Sequence, residues 1–515
     1  MAELTIGPEI RGLLARLDGF FRDRGVGAYV VGGFLRDALL GRDSRDVDLS
    51  IAGDPLALGP ELADALSGRY FPLAEERRMA RVLLAEPPVR RGVPVRRGVK
   101  VYVDLLPLRG DVESDLRGRD FTIDAMAAPL AQAAAGTATL IDPTGGRDDL
   151  RRRLVRVIGE EAFRADPLRP LRGARLAVEL DFEVDPDTAD LIRRYAGSLA
   201  QAATERQRDE LMRVLATPRA GLGVRLLDSL ALLERLLPEL TDSRGVEQPK
   251  EHYWDVFDHS LEAVGNLDIL LAEEEPRERR GRRLWRELWG QLAWWEEARD
   301  YFREEVLAER PRPAVLKLVG LLHDIAKPEA KTFDATGRMR FFGHADVGAE
   351  KAGRVMRRLR FSAREVALVQ TMVKAHLRPV QMGQQGPPTR RALYRYFRDC
   401  GDAAIETLFL SLADHLATVG PRVSMSDWRH HVALVNYILT KRFQEEEVTS
   451  PAKLLGGDEL MAELNLSPGP LVGRLLETVR EAQAAGEIST REEALALAQA
   501  ALADAQRRRG ADGEP

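Results

Sequence analysis

The sequence predicts an α+β chain in which a small mixed β-sheet is followed by a long, mostly helical remainder. Short apolar runs that suit strands occur in the first part, as in YVV, DVDLSI, ARVLLA and VKVYVDLL. From about residue 147 almost to the C-terminus, apolar residues recur at helical spacing, as in TADLIRRYA and ERQRDELMRVLA. We therefore expect a sheet-bearing domain at the N-terminus and helical domains after it.

Composition narrows the class of protein. A chain of 515 residues is long enough for several domains. No apolar run approaches the ~20 residues that span a membrane, and the N-terminus lacks the basic start and apolar block of a secretory signal. The single cysteine, Cys400, excludes disulfides within the chain and cysteine-based zinc sites. We expect a cytoplasmic protein with no membrane partner, and the oligomeric state stays open.

The most informative segment is VVGGFLRDALLGRDSRDVDL, at residues 30–49. Gly32 and Gly33 follow a short strand and precede an apparent helix, where bare amides and the positive helix end suit a phosphate. Asp46 and Asp48 lie two apart on the next strand and therefore on one face. A glycine pair alone usually marks a turn, and an acidic pair alone usually lies on a solvated surface. Their order and spacing favour carboxylates that share divalent cations for two-metal nucleotidyl transfer.

The pattern GG…RD…G…DxD resembles the polymerase β-type nucleotidyltransferase superfamily. That resemblance implies a nucleotidyltransferase head in which Asp46 and Asp48 hold Mg²⁺. It also implies that Gly32, Gly33 and Arg36 cradle the triphosphate of the incoming nucleotide.

A second segment, DLRGRDFTIDAMA at residues 115–127, narrows the family. It resembles the motif RRDFTINAMA of class II CCA-adding enzymes (tRNA nucleotidyltransferases) and bacterial poly(A) polymerases. Gly118 replaces the first arginine and Asp124 replaces the asparagine, and the resemblance places Arg119 near the nucleotide. Asp104, on a strand between the two motifs, is either a third catalytic carboxylate or a charge on an edge strand.

A third segment, ADPLRPLRGAR at residues 165–175, stands where this family has EDxxRxxRxxR on a helix. The resemblance implies that Asp166 and Arg169 select CTP and ATP by hydrogen bonding to the base. Arg172 and Arg175 would support them or bind phosphates. Ala165 replaces the family's glutamate. We expect Asp166 to cap the helix, which places Pro170 one turn inside it at the cost of a backbone hydrogen bond.

A different set of residues lies in the second half of the chain. His259, the pair His323–Asp324, and Asp414 follow the order H…HD…D, which resembles the all-helical HD phosphohydrolase superfamily. His344 and His376 match additional metal-binding histidines of two-metal members. Imidazoles and carboxylates that converge from separate helices can hold one or two divalent metals, which the sequence does not identify. By the same resemblance, Lys327 either contacts phosphate or is a surface lysine.

These motifs divide the chain into four expected domains. The nucleotidyltransferase head covers residues 1–146, and a helical neck and body that binds nucleobase and tRNA covers 147–247. The HD domain covers 248–445, with a tryptophan-rich insertion at about 273–312 that packs into the core or forms a partner surface. A helical tail covers 446–515, with a disordered end at 507–515.

The leading hypothesis is a tRNA nucleotidyltransferase that adds CMP, and AMP as well, to the tRNA acceptor end from CTP and ATP without a template. The connection between Asp104 and Arg119 is shorter than the flexible loop of family members that complete CCA, which makes addition of CC alone a close competitor of full CCA addition. Poly(A) polymerase is a further alternative. Two other classes stay open: an HD phosphohydrolase acting on RNA ends or nucleotides, and a non-catalytic tRNA-binding module. Basic clusters suited to phosphates lie at Arg90, Arg91, Arg96, Arg97, Lys100 and Arg151–Arg153.

Overall fold

A computed structural model describes residues 2–74, 76, 78–85, 100–307, 310–445 and 452–511. The chain forms two compact units, an N-terminal unit of residues 1–203 and a C-terminal unit of residues 204–515. The predicted α+β class, with a small mixed sheet followed by helices, is confirmed. Arg90, Arg91, Arg96 and Arg97 of the predicted basic cluster lie outside the described residues.

The N-terminal unit contains ten strands and nine α-helices among its described residues. The strands are β1 (Ala2–Glu3), β2 (Ala28–Val31), β3 (Asp46–Ile51), β4 (Arg69–Ala74), β5 (Met79–Ala85), β6 (Lys100–Pro107), β7 (Ala127–Pro129), β8 (Thr137–Ala138), β9 (Leu154–Val155) and β10 (Glu183–Val184). The helices are α1 (Pro8–Arg22), α2 (Gly32–Leu39), α3 (Pro55–Leu66), α4 (Val112–Arg117), α5 (Leu130–Ala134), α6 (Gly146–Arg152), α7 (Glu160–Ala165), α8 (Arg169–Leu180) and α9 (Pro186–Tyr195).

One six-stranded sheet forms the centre of this unit, in the order β4-β5-β6-β3-β2-β7. Strands β3 and β6 run parallel, and the other neighbours run antiparallel, so the sheet is mixed. Val47, Leu49, Val103 and Leu105 on the two parallel strands are fully buried. Side chains alternate along a strand, so these residues place one face of the two strands in the core. Asp48 and Asp104, which lie between them in the sequence, project from the opposite face.

Helix α8 begins later than the sequence analysis predicts. Asp166 is the C-cap of α7, and α8 starts at Arg169 after Leu168, with Pro170 in its first turn. The prediction that Asp166 caps a helix containing an internal proline is therefore wrong. Proline is tolerated in the first turn because the N–H groups there have no partner within the helix, so Pro170 removes no helical hydrogen bond.

The described residues of the C-terminal unit form eighteen α-helices and two short strand pairs. The helices are α10 (Thr204–Ala216), α11 (Ala220–Ser229), α12 (Leu233–Leu236), α13 (Pro238–Thr241), α14 (Val256–Leu270), α15 (Arg279–Gln291), α16 (Trp295–Arg303), α17 (Arg312–Leu322), α18 (Lys327–Ala330), α19 (His344–Arg358), α20 (Ala363–Ala375), α21 (Arg378–Gly383), α22 (Arg390–Cys400), α23 (Ala404–Val419), α24 (Met425–Gln444), α25 (Gly457–Leu464), α26 (Pro470–Ala485) and α27 (Arg491–Ala511). The strands are β11 (Glu305–Leu307), β12 (Arg310–Pro311), β13 (Thr332–Phe333) and β14 (Met339–Arg340).

Helices α14, α17 and α23 pack together at the centre of this unit. Nearly every residue of α17 is buried, which explains its apolar sequence on all faces. Among the described residues, no helix is both long enough and apolar enough to span a membrane.

The tryptophan-rich segment forms α15 and α16. The Trp289 ring lies 6.0 Å from that of Phe409, and Trp294 stacks on Phe443 with ring centroids 5.3 Å apart. These two tryptophans therefore pack within the unit, whereas Trp295 is exposed.

The tail carries its own small apolar core, in which Leu460, Val472 and Leu475 are buried. Helix α27 extends to Ala511, whereas the sequence analysis predicts disorder from residue 507. Alanine, glutamine and arginine are strong helix formers, which accounts for the longer helix. The remaining predicted disorder, at 512–515, lies outside the described residues.

Candidate active sites

Three carboxylates of the N-terminal unit lie together on one face of its sheet, and we call Asp46, Asp48 and Asp104 the acidic cluster. Asp48 on β3 and Asp104 on β6 are register partners in neighbouring parallel strands. Asp46, two residues before Asp48, projects from the same face. Asp104 lies inside the sheet between β5 and β3, so it is not an edge-strand charge. The roles of these residues stay predictions.

The electrostatics of the acidic cluster suit a divalent cation. Burial, together with the nearby Asp46 and Asp104 carboxylates, raises the pKa of Asp48 to about 7. Arg81 on β5 lies against two members: its Nε and Nη2 donate to the two oxygens of Asp104 at 2.6 and 2.7 Å, and its Nη2 lies 3.7 Å from Asp46 Oδ1. Three carboxylates clustered in this way form the kind of site whose negative charge hard cations such as Mg²⁺ neutralise.

Gly32 lets the start of helix α2 approach the acidic cluster. Its φ is +65°, in the left-handed region. A Cβ atom at this position would lie 3.0 Å from Asp48 Oδ2 and 3.3 Å from Arg119 Nη1. Gly33 follows in the first turn, where a Cβ would lie 3.4 Å from Arg36 Nη2. The structure thus brings together the glycine pair, Asp48 and Arg119, which the sequence analysis placed around one nucleotide.

Arg36 is held by two carboxylates. Its Nη1 donates to Asp124 Oδ1 at 2.7 Å, and its Nη2 lies 2.9 Å from Asp37 Oδ1. Burial works to lower the pKa of Arg36, but these ion pairs raise it overall. Asp124 stands where the family motif has asparagine, so the departure noted in the sequence supplies the partner of a buried guanidinium.

Asp120 connects the second motif to helix α8. It is buried, and its Oδ2 accepts from Arg172 Nη1 at 3.0 Å and lies 4.0 Å from Arg169 Nε. Burial alone would raise the pKa of Asp120, but the two arginines hold it below its ordinary value.

The other two residues of the third motif differ in their surroundings. Asp166 is buried and its Oδ1 accepts from the amide of Leu168 at 3.1 Å. Arg175 is buried and pairs with Glu179 one turn further along α8. The predicted site did not include Asp120, the shared partner of Arg169 and Arg172 described above.

In the C-terminal unit, His259, His323, Asp324, His344, His376 and Asp414 form a second site, which we call the histidine–aspartate cluster. The residues come from α14, the end of α17, the start of α19, the end of α20, and α23. They form two groups in which the possible ligand atoms lie within 4.8 Å of one another. One group contains His259, His323, Asp324 and Asp414, and the other contains Asp324, His344 and His376. Asp324 is common to both groups.

Backbone hydrogen bonds orient three of the imidazoles. Nδ1 of His323, His344 and His376 donates to the carbonyl three residues earlier, at 2.9, 2.7 and 2.6 Å. This assignment leaves each Nε2 with a lone pair that faces the interior of the cluster, as in metal-binding histidines. Nε2 of His323 lies 3.2 Å from Nε2 of His259, and Nε2 of His344 lies 3.4 Å from that of His376. A cation between such lone pairs removes their repulsion, so these residues fit a divalent metal.

Asp324 is one of the two carboxylates of this cluster. Its Oδ1 lies 3.3 Å from His344 Nε2, and its Oδ2 lies 3.3 Å from His323 Nε2 and 2.6 Å from Lys327 Nζ. Burial would raise the pKa of Asp324, but the adjacent Lys327 ammonium holds it well below its ordinary value. The carboxylate is therefore ionised at neutral pH and available to a metal. Lys327 itself is buried, so it is not a surface lysine.

Sequence reasoning missed three neighbours of these sites. Arg81 binds Asp104 because β5 and β6 pair in the register that sets the two residues opposite each other, a long-range pairing that no motif encodes. Gln248 accepts from Lys327 Nζ at 2.7 Å, and the His252 ring lies 5.7 Å from that of His259. The only sequence signal for the last two is their position before the first histidine of the pattern.

Three family models match successive parts of the chain. The poly A polymerase head domain matches residues 28–156, the "probable RNA and SrmB- binding site of polymerase A" matches 181–243, and the HD domain matches 256–419.

Two relatives match nearly the whole chain. An A-adding tRNA nucleotidyltransferase of Deinococcus radiodurans is 35% identical over 480 residues, covering 92% of this chain and 95% of the relative. A CC-adding tRNA nucleotidyltransferase of Thermus thermophilus is 34% identical over 478 residues, covering 91% and 92%. The fold is similar to that of the Thermotoga maritima CCA-adding enzyme complexed with tRNA, with a TM-score of 0.56, 20% identity and 97% of each chain covered.

Proposed function

Because this chain belongs to the tRNA nucleotidyltransferase family, we propose that it joins CMP from CTP to the 3′ end of tRNA. The acidic cluster carries this proposal, since Asp46, Asp48 and Asp104 converge beside the glycine start of α2. Relatives that match nearly the whole chain are nucleotidyltransferases, which disfavours the alternative of a non-catalytic tRNA-binding module.

Asp46 and Asp48, with Asp104 beside them, would hold Mg²⁺. When bound, Mg²⁺ lowers the pKa of the attacking 3′-hydroxyl and neutralises charge on the leaving pyrophosphate. Arg81 orients the Asp104 carboxylate through its two hydrogen bonds. Removal of any of these carboxylates therefore weakens the positioning of the reacting groups.

The start of α2 would receive the triphosphate. Gly32 and Gly33 present amides at a helix N-terminus without a side chain in the way. Arg119 supplies a positive charge within reach of Gly32, while Arg36 is fixed by Asp124. These residues bind and orient the nucleotide phosphates.

Base selection would lie at the start of α8. By resemblance, Asp166 and Arg169 hydrogen-bond the edge of cytosine, with Arg172 beside them and Arg175 supporting the helix. Asp120 supports this role because it holds Arg172 at 3.0 Å and lies 4.0 Å from Arg169. A buried carboxylate of this kind restricts the directions in which the guanidiniums donate.

The number of nucleotides added is the finer part of the proposal. Only residues 108–111 connect β6 to α4, and members of the family that complete CCA have a longer flexible loop before the second motif. We therefore favour addition of CC alone. Addition of A alone is the main alternative, because a relative with 35% identity is A-adding. Full CCA addition and poly(A) synthesis are further alternatives.

One experiment separates these activities. The protein is incubated with tRNA that ends before CCA and with tRNA that ends in CC, each with CTP alone, ATP alone or both, and the products are sequenced. CC addition extends the first tRNA by two cytidines with CTP and leaves the second unchanged. A-addition extends only the second tRNA, by one adenosine. A long adenosine tail would indicate a poly(A) polymerase.

The histidine–aspartate cluster favours a second function, a metal-dependent phosphohydrolase acting on RNA ends or nucleotides. The observation that supports this function is that Asp324 belongs to both groups of possible metal ligands. We propose a divalent metal there, of unidentified kind. His323→Ala tests this function: phosphatase or phosphodiesterase activity should fall to background while CMP incorporation persists.

The expected domain limits, 1–146, 147–247, 248–445 and 446–515, stay part of the proposal, supported by the family models at 28–156, 181–243 and 256–419. A tRNA substrate and the single cysteine also favour the cytoplasm.

A further inference from the structure

A surface cleft of about 470 Å³ lies beside the histidine–aspartate cluster. Gln248, Lys250, Glu251, Phe333 and Arg338 are among its lining residues. Gln248 accepts from Lys327 Nζ at 2.7 Å, and the same Nζ lies 2.6 Å from Asp324 Oδ2. A single lysine therefore bridges one wall of the cleft and the carboxylate shared by both metal-binding groups.

The cleft presents an aromatic ring to solvent. Phe333 lies on β13 and is 64% exposed. The hairpin of β13 and β14 leads to Phe342, which is 77% exposed, and then to His344 of the cluster. His344 Nδ1 donates to the carbonyl of Phe341, which fixes this segment to the cluster. An exposed aromatic ring that lines a polar cleft is available to stack on a ligand.

Two cations and one carboxylate line the cleft that contains the ring. Lys250 and Arg338 line the cleft, and Glu251 lies 3.8 Å from Arg338. A flat aromatic ring suits the π-face of a nucleobase, and ammonium and guanidinium groups suit phosphate. An aromatic ring and two cations next to a metal-binding cluster match the parts of a nucleotide.

We propose that this cleft is the nucleoside subsite of the histidine–aspartate cluster. Phe333 stacks on the base, Lys250 and Arg338 attract the phosphates, and the cluster receives the phosphoester. The ligand is a nucleobase carried on a phosphate, supplied by a free nucleotide or by the terminal nucleotide of an RNA. The proposal deepens, and rests on, the phosphohydrolase function proposed for this cluster.

The test uses a tryptophan as a local reporter in the full-length protein. Phe333→Trp should show a saturable fluorescence change with AMP and none with ribose 5-phosphate, which has the same sugar and phosphate but lacks the base. Leu222→Trp is the matched control, because Leu222 is 58% exposed on α11, and it should not respond. An equal response to both ligands, or none to either, would overturn the subsite.

A second variant measures the energetics. Phe333→Ala should weaken AMP binding by about 5-fold to about 100-fold, the range expected for loss of one base–aromatic stack, and should leave ribose 5-phosphate binding unchanged. Equal loss for both ligands, or for neither, contradicts stacking. Tighter competition by a short RNA with a 3′-phosphate than by AMP would identify an RNA end as the source, and the reverse would identify a free nucleotide.

The subsite and the phosphohydrolase function fail in different ways. If the metal-loaded protein hydrolyses neither compound while the Phe333→Trp variant still responds to AMP alone, the subsite stands and the hydrolytic function fails. If it hydrolyses both at equal kcat/KM and Phe333→Ala changes neither, the hydrolytic function stands and the subsite is wrong. A change in oligomeric state on Phe333→Ala without a change in AMP binding would instead show that a second copy of the chain covers this face.

Discussion

Asp48 and Asp104 face each other as register partners on the parallel strand pair of the six-stranded sheet. Parallel pairing places their side chains on one face at the same level. Arg81 from the next strand donates to Asp104 at 2.6 Å and lies 3.7 Å from Asp46 Oδ1. The surroundings of Asp48 therefore disfavour its ionised form, since its pKa is raised to about 7. A divalent cation bound beside Asp48 would favour the ionised form of this carboxylate.

Replacement of Asp48 should stabilise the metal-free protein while it abolishes catalysis. The folded-state pKa of about 7 lies above the ordinary value of 3.8, so the folded state retains a proton that the unfolded state has lost. Stability contributed by Asp48 therefore falls as pH rises between these values. In EDTA, the free energy of unfolding of Asp48→Asn should exceed that of wild type by on the order of 2 kcal/mol near neutral pH. The difference should be much smaller near pH 4.

Thermal or urea unfolding at both pH values measures this gain. Asp23→Asn, at an exposed aspartate, is the control and should show no such pH-dependent difference. A destabilised Asp48→Asn at neutral pH would mean that the acidic cluster is already compensated.

Gly32→Ala should reduce CMP incorporation by a factor of about ten or more. The added methyl group would meet Asp48 Oδ2 at 3.0 Å and Arg119 Nη1 at 3.3 Å, and φ is +65°. Gly25→Ala is a matched control, because Gly25 has the same φ and nothing within 4 Å of a Cβ. Both changes should cost about 1 kcal/mol of stability. Equal incorporation by the two variants would show that the close approach is irrelevant to catalysis.

Asp124→Asn should be tolerated, and Asp124→Leu should not. An asparagine oxygen can still accept from Arg36 Nη1, now at 2.7 Å from the carboxylate, whereas leucine leaves a buried guanidinium with Asp37 alone. We expect Asp124→Leu to lower the free energy of unfolding by about 2 kcal/mol or more, as measured by urea denaturation. Similar losses in both variants would show that the charge, and not the hydrogen bond, holds Arg36.

Metal analysis of the isolated protein should separate the two groups of the histidine–aspartate cluster. His344→Ala removes a ligand from one group, so the bound metal should fall by about half. Asp324→Ala removes the shared ligand and should leave almost none. The exposed His430→Ala should retain the wild-type content. Equal metal content in His344→Ala and wild type would contradict a second metal-binding group.

The sequence predicted those parts of the sites whose residues are close in the chain or form a known pattern. The Asp46–Asp48 spacing placed both on one face because a strand has a period of two, and the strand around Asp104 was evident from its aliphatic residues. Arg81 was missed because its position opposite Asp104 depends on the pairing of distant strands. The start of α8 was misjudged because Asp166 followed by Pro167 has the form of a helix start, whereas α8 begins at Arg169.

The most direct test of the account is incorporation of CMP by Asp46→Ala/Asp48→Ala. Labelled CTP, magnesium and tRNA that ends before CCA are supplied to the double variant and to wild type, and tRNA binding is measured in parallel. The account predicts incorporation at background with tRNA affinity within about threefold of wild type, since phosphate contacts govern affinity and a carboxylate does not attract a phosphate. Incorporation close to that of wild type would contradict the central role of the acidic cluster.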